Sequence, residues 1–156
     1  LINFLRIGRV DLLVRLPLRL VVTTHVAAEI SDGFPKQREQ FEAALATGAV
    51  EQHDVVEAAA IGHFGRLWAT GRLGAGECAA IAYAVTNDFA LALDDRRAAR
   101  EAGALMPASR ILRTADLMVS AIQAGLLTLA EADAIKEMWE KEHRFRLKIT
   151  SFGDLL

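Results

Sequence analysis

The run Phe89-Ala90-Leu91-Ala92-Leu93 is apolar at every position and stops at Asp94-Asp95. A strand with one wet face alternates apolar and polar side chains. A strand without alternation has to be covered on both faces, as a parallel strand is when helices pack on either side of it. Leu20-Val21-Val22-Thr23 reads the same way, and Ala49 to Val56 offers a further strand. Helical stretches separate these runs. Leu1 to Leu16 keeps its apolar residues on roughly one helical face with a break near Gly8. Thr24 can cap a helix from His25 to Ile30 that ends at Ser31-Asp32-Gly33, and Pro35 opens another that runs to Thr47. Glu57 to Thr70 places Ile61, Phe64, Leu67 and Trp68 on one side. Glu77 to about Val85, Arg96 to Ala102, Ile111 to Ala124 and Leu129 to His143 complete the helices, the last capped by Thr128, and the tail from Arg144 to Leu156 alternates weakly. Strands and helices in alternation predict an α/β fold with parallel strands and helices on their faces. Ligands in such folds sit beyond the carboxyl ends of the strands.

The chain of 156 residues suits one domain spanning 1–156, and 53% hydrophobic residues exclude a disordered chain. Eighteen Lys and Arg against twenty Asp and Glu leave a net charge of −2, so any contact with phosphates has to come from a local patch. A single cysteine, Cys78, rules out an intrachain disulfide, and no Cys/His cluster has zinc spacing; a reducing cytoplasm is the expected setting. The apolar stretch Leu12 to Thr24 is interrupted by Arg15, Pro17 and Arg19. It is too short and too charged to cross a membrane, and no small-residue cleavage site follows it.

Asp94-Asp95 directly follows a buried strand, at the edge where α/β sheets build sites; the pair also suits the start of the helix at Arg96. Glu77 follows Gly74-Ala75-Gly76 and opens a helix of small and apolar residues, where a carboxylate calls for a cation, a donor or a metal beside it. Complementing the helix dipole is the alternative role. Gly71, Gly74 and Gly76 have neither dinucleotide nor P-loop spacing. Glu29 by itself is an ordinary helix carboxylate. His25, His53, His63 and His143 show no metal-ligand spacing, and Cys78 reads as buried. Arg96, Arg97 and Arg100 cluster beside the acidic pair. They form either a phosphate-binding rim or a solvated helix face.

Four segments in this order and spacing resemble PIN-domain proteins: Leu-Ile-Asn-Phe-Leu-Arg-Ile-Gly at 1–8, Val-Val-Thr-Thr-His-Val-Ala-Ala-Glu-Ile at 21–30, Leu-Gly-Ala-Gly-Glu-Cys-Ala-Ala-Ile-Ala at 73–82 and Leu-Asp-Asp-Arg-Arg-Ala-Ala-Arg at 93–100. The branch they resemble is the VapC-like one, with a Gly-Glu helix start and an Asp-Asp-x-x-Ala-Arg segment. The resemblance implies a Rossmann-like parallel sheet, a C-terminal helical hairpin near 111–142, and acidic residues converging on Mg²⁺ or Mn²⁺ to cut RNA. By position Glu29, Glu77 and Asp95 match the metal-site carboxylates, with Asp94 a fourth and Arg96, Arg97 and Arg100 beside the phosphate. The family's opening strand and its first aspartate fall before Leu1, and Asn3 lies past that strand in register. The chain is therefore expected to be shortened at its N-terminus relative to the family.

Two functions follow from this resemblance. One is a metal-dependent endoribonuclease, the toxin of a type II toxin–antitoxin pair, with RNA as substrate and an antitoxin as partner. The other is a catalytically impaired PIN-like module that binds RNA or a protein without cleavage. The amphipathic opening helix offers a homodimer or antitoxin surface, which an ordinary core face explains equally well.

Overall fold

The computed structural model describes residues 1–30 and 34–156. In chain order the first elements are α1 (Ile2–Arg6), α2 (Asp11–Val14), β1 (Val21–Thr23), α3 (Thr24–Glu29), α4 (Pro35–Ala46), β2 (Glu51–His53) and α5 (Ala58–Ala69). They continue as α6 (Ala75–Thr86), β3 (Leu91–Ala92), α7 (Arg96–Gly103), β4 (Ile111–Leu112), α8 (Thr114–Gln123) and α9 (Leu129–Glu142), with 3-10 turns at Ala108–Arg110 and Phe152–Leu155. The chain is an α/β protein of short parallel strands flanked by helices, as the apolar runs predict. It divides into two compact units: Leu1–Leu20, Asp32–Ala49 and Thr114–Leu156 form the first, and Val21–Ser31 with Val50–Arg113 the second.

In the second unit β1 and β2 run parallel in the register Val21↔Glu51, Val22↔Gln52 and Thr23↔His53. β3 and β4 are likewise parallel, Leu91 opposite Ile111 and Ala92 opposite Leu112, and the Leu93 N–H carries the ladder on to the Leu112 carbonyl at 2.8 Å. α6 is the spine of this unit. Seven of its residues are buried, from Gly76 through Ala84, because small and apolar side chains occupy every side of it. Ile81 and Cys78 pack with Leu67 of α5, Leu91 of β3 and Ala98 and Ala102 of α7. Burial pushes the Cys78 thiol above its ordinary pKa, with the charge of Glu77 acting in the same direction, so the buried cysteine expected from the sequence is a core residue rather than a nucleophile.

Several boundaries differ from expectation for local reasons. Ile111-Leu112 is a strand rather than the first turn of a helix, since its backbone groups pair with β3, and α8 starts only at Thr114. The apolar run at 89–93 contributes only Leu91–Ala92 as strand. Phe89 N–H still bonds back to the Ala84 carbonyl, and Asp88 turns the chain with φ 57°. Thr23 rather than Thr24 caps α3, its hydroxyl accepting from Val26 N–H at 3.4 Å. The expected stop of that helix at Ser31-Asp32-Gly33 lies outside the described residues. On α5 the apolar side is real but only partly covered: Leu67 is buried, whereas Ile61 and Trp68 are exposed.

The first unit is helical, and its centre is Trp139 of α9, fully buried between Phe4 of α1 and Phe145. Both rings meet it edge to face with centroids 5.6 Å away. The indole N–H donates to the Asn3 carbonyl at 2.8 Å, and the Asn3 amide donates to Thr114 at 3.1 Å. Asn3 thus ties α1 to α8 and α9. Thr128 and Glu131 close the expected cap of α9 reciprocally, the Glu131 carboxylate accepting from Thr128 N–H at 2.7 Å. The weakly alternating tail instead ends in a 3-10 turn, held where Asp133 accepts from Ser151 and Phe152.

Trp139→Ala is expected to lower the free energy of unfolding by about 3–5 kcal/mol, the usual cost of emptying a buried aromatic site. Trp139→Phe keeps most of the packing and costs less. Urea titration followed by circular dichroism measures both; a loss below about 1 kcal/mol for Trp139→Ala would contradict this packing.

Candidate active site

Gly74 precedes α6 in extended conformation, with φ −72° and ψ 162°, so the first N–H groups of the helix have no acceptor within it. Two carboxylates take them. α6 starts at Ala75, earlier than the sequence suggests, which puts Glu77 at its third position. From there the side chain turns back and Oε2 accepts from Gly74 N–H at 3.0 Å. This is half of a capping box, since a glycine cap has no side chain with which to reciprocate. The other carboxylate is Glu29, the last residue of α3, whose Oε1 accepts from Gly76 N–H at 3.1 Å. The positive end of the α6 dipole favours both anions.

Glycine at 76 is what permits this approach. A Cβ there would lie 2.2 Å from Glu29 Oε1 and 2.7 Å from its Cδ, so any side chain displaces the carboxylate. The Cβ position of Gly74 is 3.9 Å from Glu29 Oε1 and also 3.9 Å from Glu77 Oε2, so the two carboxylates face one space walled by glycine. Gly76, which fits no phosphate-binding motif, therefore has a different task, making room for the Glu29 carboxylate. Each carboxylate commits one oxygen to the backbone. Its other oxygen makes no hydrogen bond among the described residues.

The remaining expected residues lie at the start of α7. Asp95 is its N-cap, with Oδ1 accepting from Arg97 N–H at 2.7 Å and Ala98 N–H at 2.8 Å. Asp94 is exposed at the junction after β3. Arg96, Arg97 and Arg100 are exposed while Ala98 and Ala102 face the core, and among the described residues the three guanidinium groups have no ion-pair partner. Glu29 and Glu77 are thus brought together. Among the described residues no group of three or more His, Cys, Asp and Glu side chains gathers as a metal site.

Sequence reasoning passed over Asp54. It follows β2 directly, at the carboxyl edge, and accepts from the Thr24 hydroxyl at 2.5 Å. An acidic residue directly after a strand was the available signal. Arg110 was also missed; it donates to the carbonyls of Phe89 at 2.6 Å and Ala84 at 3.3 Å and pairs with Asp88, tying the end of α6 to the segment before β4.

A family model described as a PIN domain, DUF3368, matches residues 1–155. The chain belongs to the PIN-domain family. No curated protein and no solved structure matches it. PIN domains are typically nucleases acting on nucleic acids, and they generally use divalent metal ions. The PIN chain's acidic pair fits such an ion. Mg²⁺ is commonly held by one or two carboxylates together with waters and substrate phosphates rather than by a full protein cage. Glu29 and Glu77 offer hard oxygen donors, each already oriented by a backbone N–H. No helix among the described residues is long and apolar enough to cross a membrane.

In most helices Gly→Ala is stabilising by about 0.5–1 kcal/mol. Here Gly76→Ala is expected to gain less than that, because it moves the Glu29 carboxylate out of its hydrogen bond. In a Glu29→Ala background the collision is gone and Gly76→Ala gives the full gain. This non-additivity is measured by a double-mutant cycle of thermal unfolding; additive effects would contradict the Glu29–Gly76 contact.

Proposed function

We propose that this PIN domain is a divalent-metal-dependent endoribonuclease of the VapC-like branch, the toxin of a type II toxin–antitoxin pair acting on cytoplasmic RNA. The supporting observation is the meeting of the Glu29 and Glu77 carboxylates at the glycine-walled start of α6. The choice of RNA and of an antitoxin partner rests on the resemblance of the four sequence segments to that branch. In this reading Glu29 and Glu77 would hold Mg²⁺ or Mn²⁺. Asp95, whose capping bonds both fall on Oδ1, and Asp94 do not gather with that pair among the described residues, and in this reading they would act from the start of α7 on the substrate side. When bound, the divalent ion supplies Lewis acidity and a water reactive at neutral pH. Arg96, Arg97 and Arg100 orient the phosphodiester by charge-assisted hydrogen bonds. The backbone N–H groups of Gly74 and Gly76 keep the two glutamates from swinging away.

A second reading, an impaired PIN-like module that binds RNA or a protein without cutting, is favoured by the pairing of only two carboxylates in a described cluster. One experiment decides between them. Cleavage of single-stranded RNA is followed with Mg²⁺ or Mn²⁺ and after chelation. The nuclease reading expects metal-dependent cleavage that falls by about 100-fold or more in Glu29→Gln and Glu77→Gln, the range for losing a major electrostatic contributor. Asp95→Asn keeps the helix cap and removes only the charge, so its loss of rate reports a role at the site. RNA binding without cleavage under either metal supports the impaired module. Variants that cut at the parental rate overturn the assigned roles.

A further inference from the structure

α9 and the tail that follows it belong to the first unit. Arg144 turns the chain at the end of α9 with φ 53°, and Phe145 N–H bonds back to the Trp139 carbonyl at 3.0 Å. The tail then lies beside the helix, where Lys136 and Glu140 of α9 and residues 146–150 line an open cleft of about 540 Å³. Burial alternates along this stretch. Phe145, Leu147 and Ile149 are half-buried, while Arg144, Arg146, Lys148 and Thr150 are exposed. The weak alternation of the sequence is thus that of an extended chain with one covered side and one wet side. The wet side is basic.

This concentration of charge stands out in a chain whose net charge is −2. Residues 143–150 hold three Lys and Arg side chains and no acidic one. Arg144, Arg146 and Lys148 make no ion pair among the described residues. The neighbouring carboxylates are engaged within the chain. Glu140 pairs with Lys136 at 3.4 Å, and Asp154 accepts from the N–H groups of Thr150 and Ser151 at 3.0 and 3.1 Å. Like charges held in a row repel one another, and an anion laid along them relieves that repulsion.

Spacing and neighbours indicate which anion. Alternate residues of an extended chain repeat at about 6.6 Å, which is close to one phosphate step of an extended nucleic-acid strand. A single line of cations serves one such strand rather than the two of a duplex. The apolar residues lining the cleft, Leu147 and Ile149, are aliphatic, and the Phe145 ring is packed on Trp139. The cleft therefore offers no ring on which a base can stack, and contacts to phosphate position a strand without reading its sequence. An acidic peptide has charges at a similar repeat; membership of the PIN family, whose nucleases act on nucleic acids, favours the polynucleotide. We propose that Arg144, Arg146 and Lys148 track the phosphate backbone of a single-stranded nucleic acid. The proposal rests on this PIN domain acting on nucleic acid, as in the reading above, and not on the role of any acidic residue.

Fluorescence anisotropy of labelled oligouridylate with the full chain, in chelator so that no cleavage intervenes, tests it. The parent chain is expected to bind with an affinity that falls steeply with salt. Arg146→Gln/Lys148→Gln is expected to weaken binding by about tenfold, and oligoadenylate to lose the same factor. The slope of log affinity against log salt should fall by about 1.4, two single-strand phosphate contacts at about 0.7 each. Both side chains are exposed and without ion pairs among the described residues, so the melting temperature should match the parent's. A parent chain that binds neither oligonucleotide, or a double variant with the parent's affinity and salt slope, overturns the proposal even where metal-dependent cleavage is found. Polyglutamate that binds the parent more tightly than oligouridylate, and loses that advantage in the double variant, overturns it in favour of an acidic protein partner. Affinity lost in the double variant of a chain that never cleaves supports the backbone track and counts against the nuclease reading alone.

Discussion

The hydrogen bond from Gly76 N–H to the Glu29 carboxylate joins the end of α3 to the start of α6, and the geometry of the acidic pair depends on it. The open N–H groups at a helix start need acceptors, and an anion there gains from both the hydrogen bond and the dipole. Only glycine lets the carboxylate come this close. α6 is buried along most of its length, so the helix start is fixed by the core and passes that rigidity to the carboxylates anchored on it.

Capping a helix and offering an oxygen to a cation are compatible tasks for one carboxylate. Glu29, Glu77 and Asp95 each bind backbone N–H groups through a single oxygen. The bound oxygen sets the orientation of the side chain, and the second oxygen makes no hydrogen bond among the described residues. A cap takes up only one oxygen of a carboxylate, so capping by itself does not decide against a ligand.

The strands in Leu20–Thr23 and Phe89–Leu93 were legible from their apolar runs, but the expected cover on both faces was not met at β3, where Leu91 is buried while Ala90 and Ala92 are exposed. The caps at Thr128 and the burial of Cys78 were legible for similar local reasons. Ile111-Leu112 was not, because two residues have no period and only pairing with Leu91-Ala92 makes them a strand. Ile61 and Trp68 followed the helical period faithfully. The period, however, shows which residues share a side and not whether that side is covered. At the acidic pair, Glu77 stood out locally. Glu29 did so only through family resemblance, because its partner Gly76 is distant in the chain and a hydrogen bond between them leaves no local pattern.

The most direct test of the convergence of Glu29 and Glu77 is the titration of the chain with Mn²⁺ while its amide resonances are observed, since the ion broadens signals close to where it binds. The geometry predicts that the amides of Gly74, Gly76 and Glu29 broaden first and together, and that excess Mg²⁺ restores them. Broadening that begins elsewhere, or that reaches the α6 start without reaching Glu29, would contradict a shared carboxylate site.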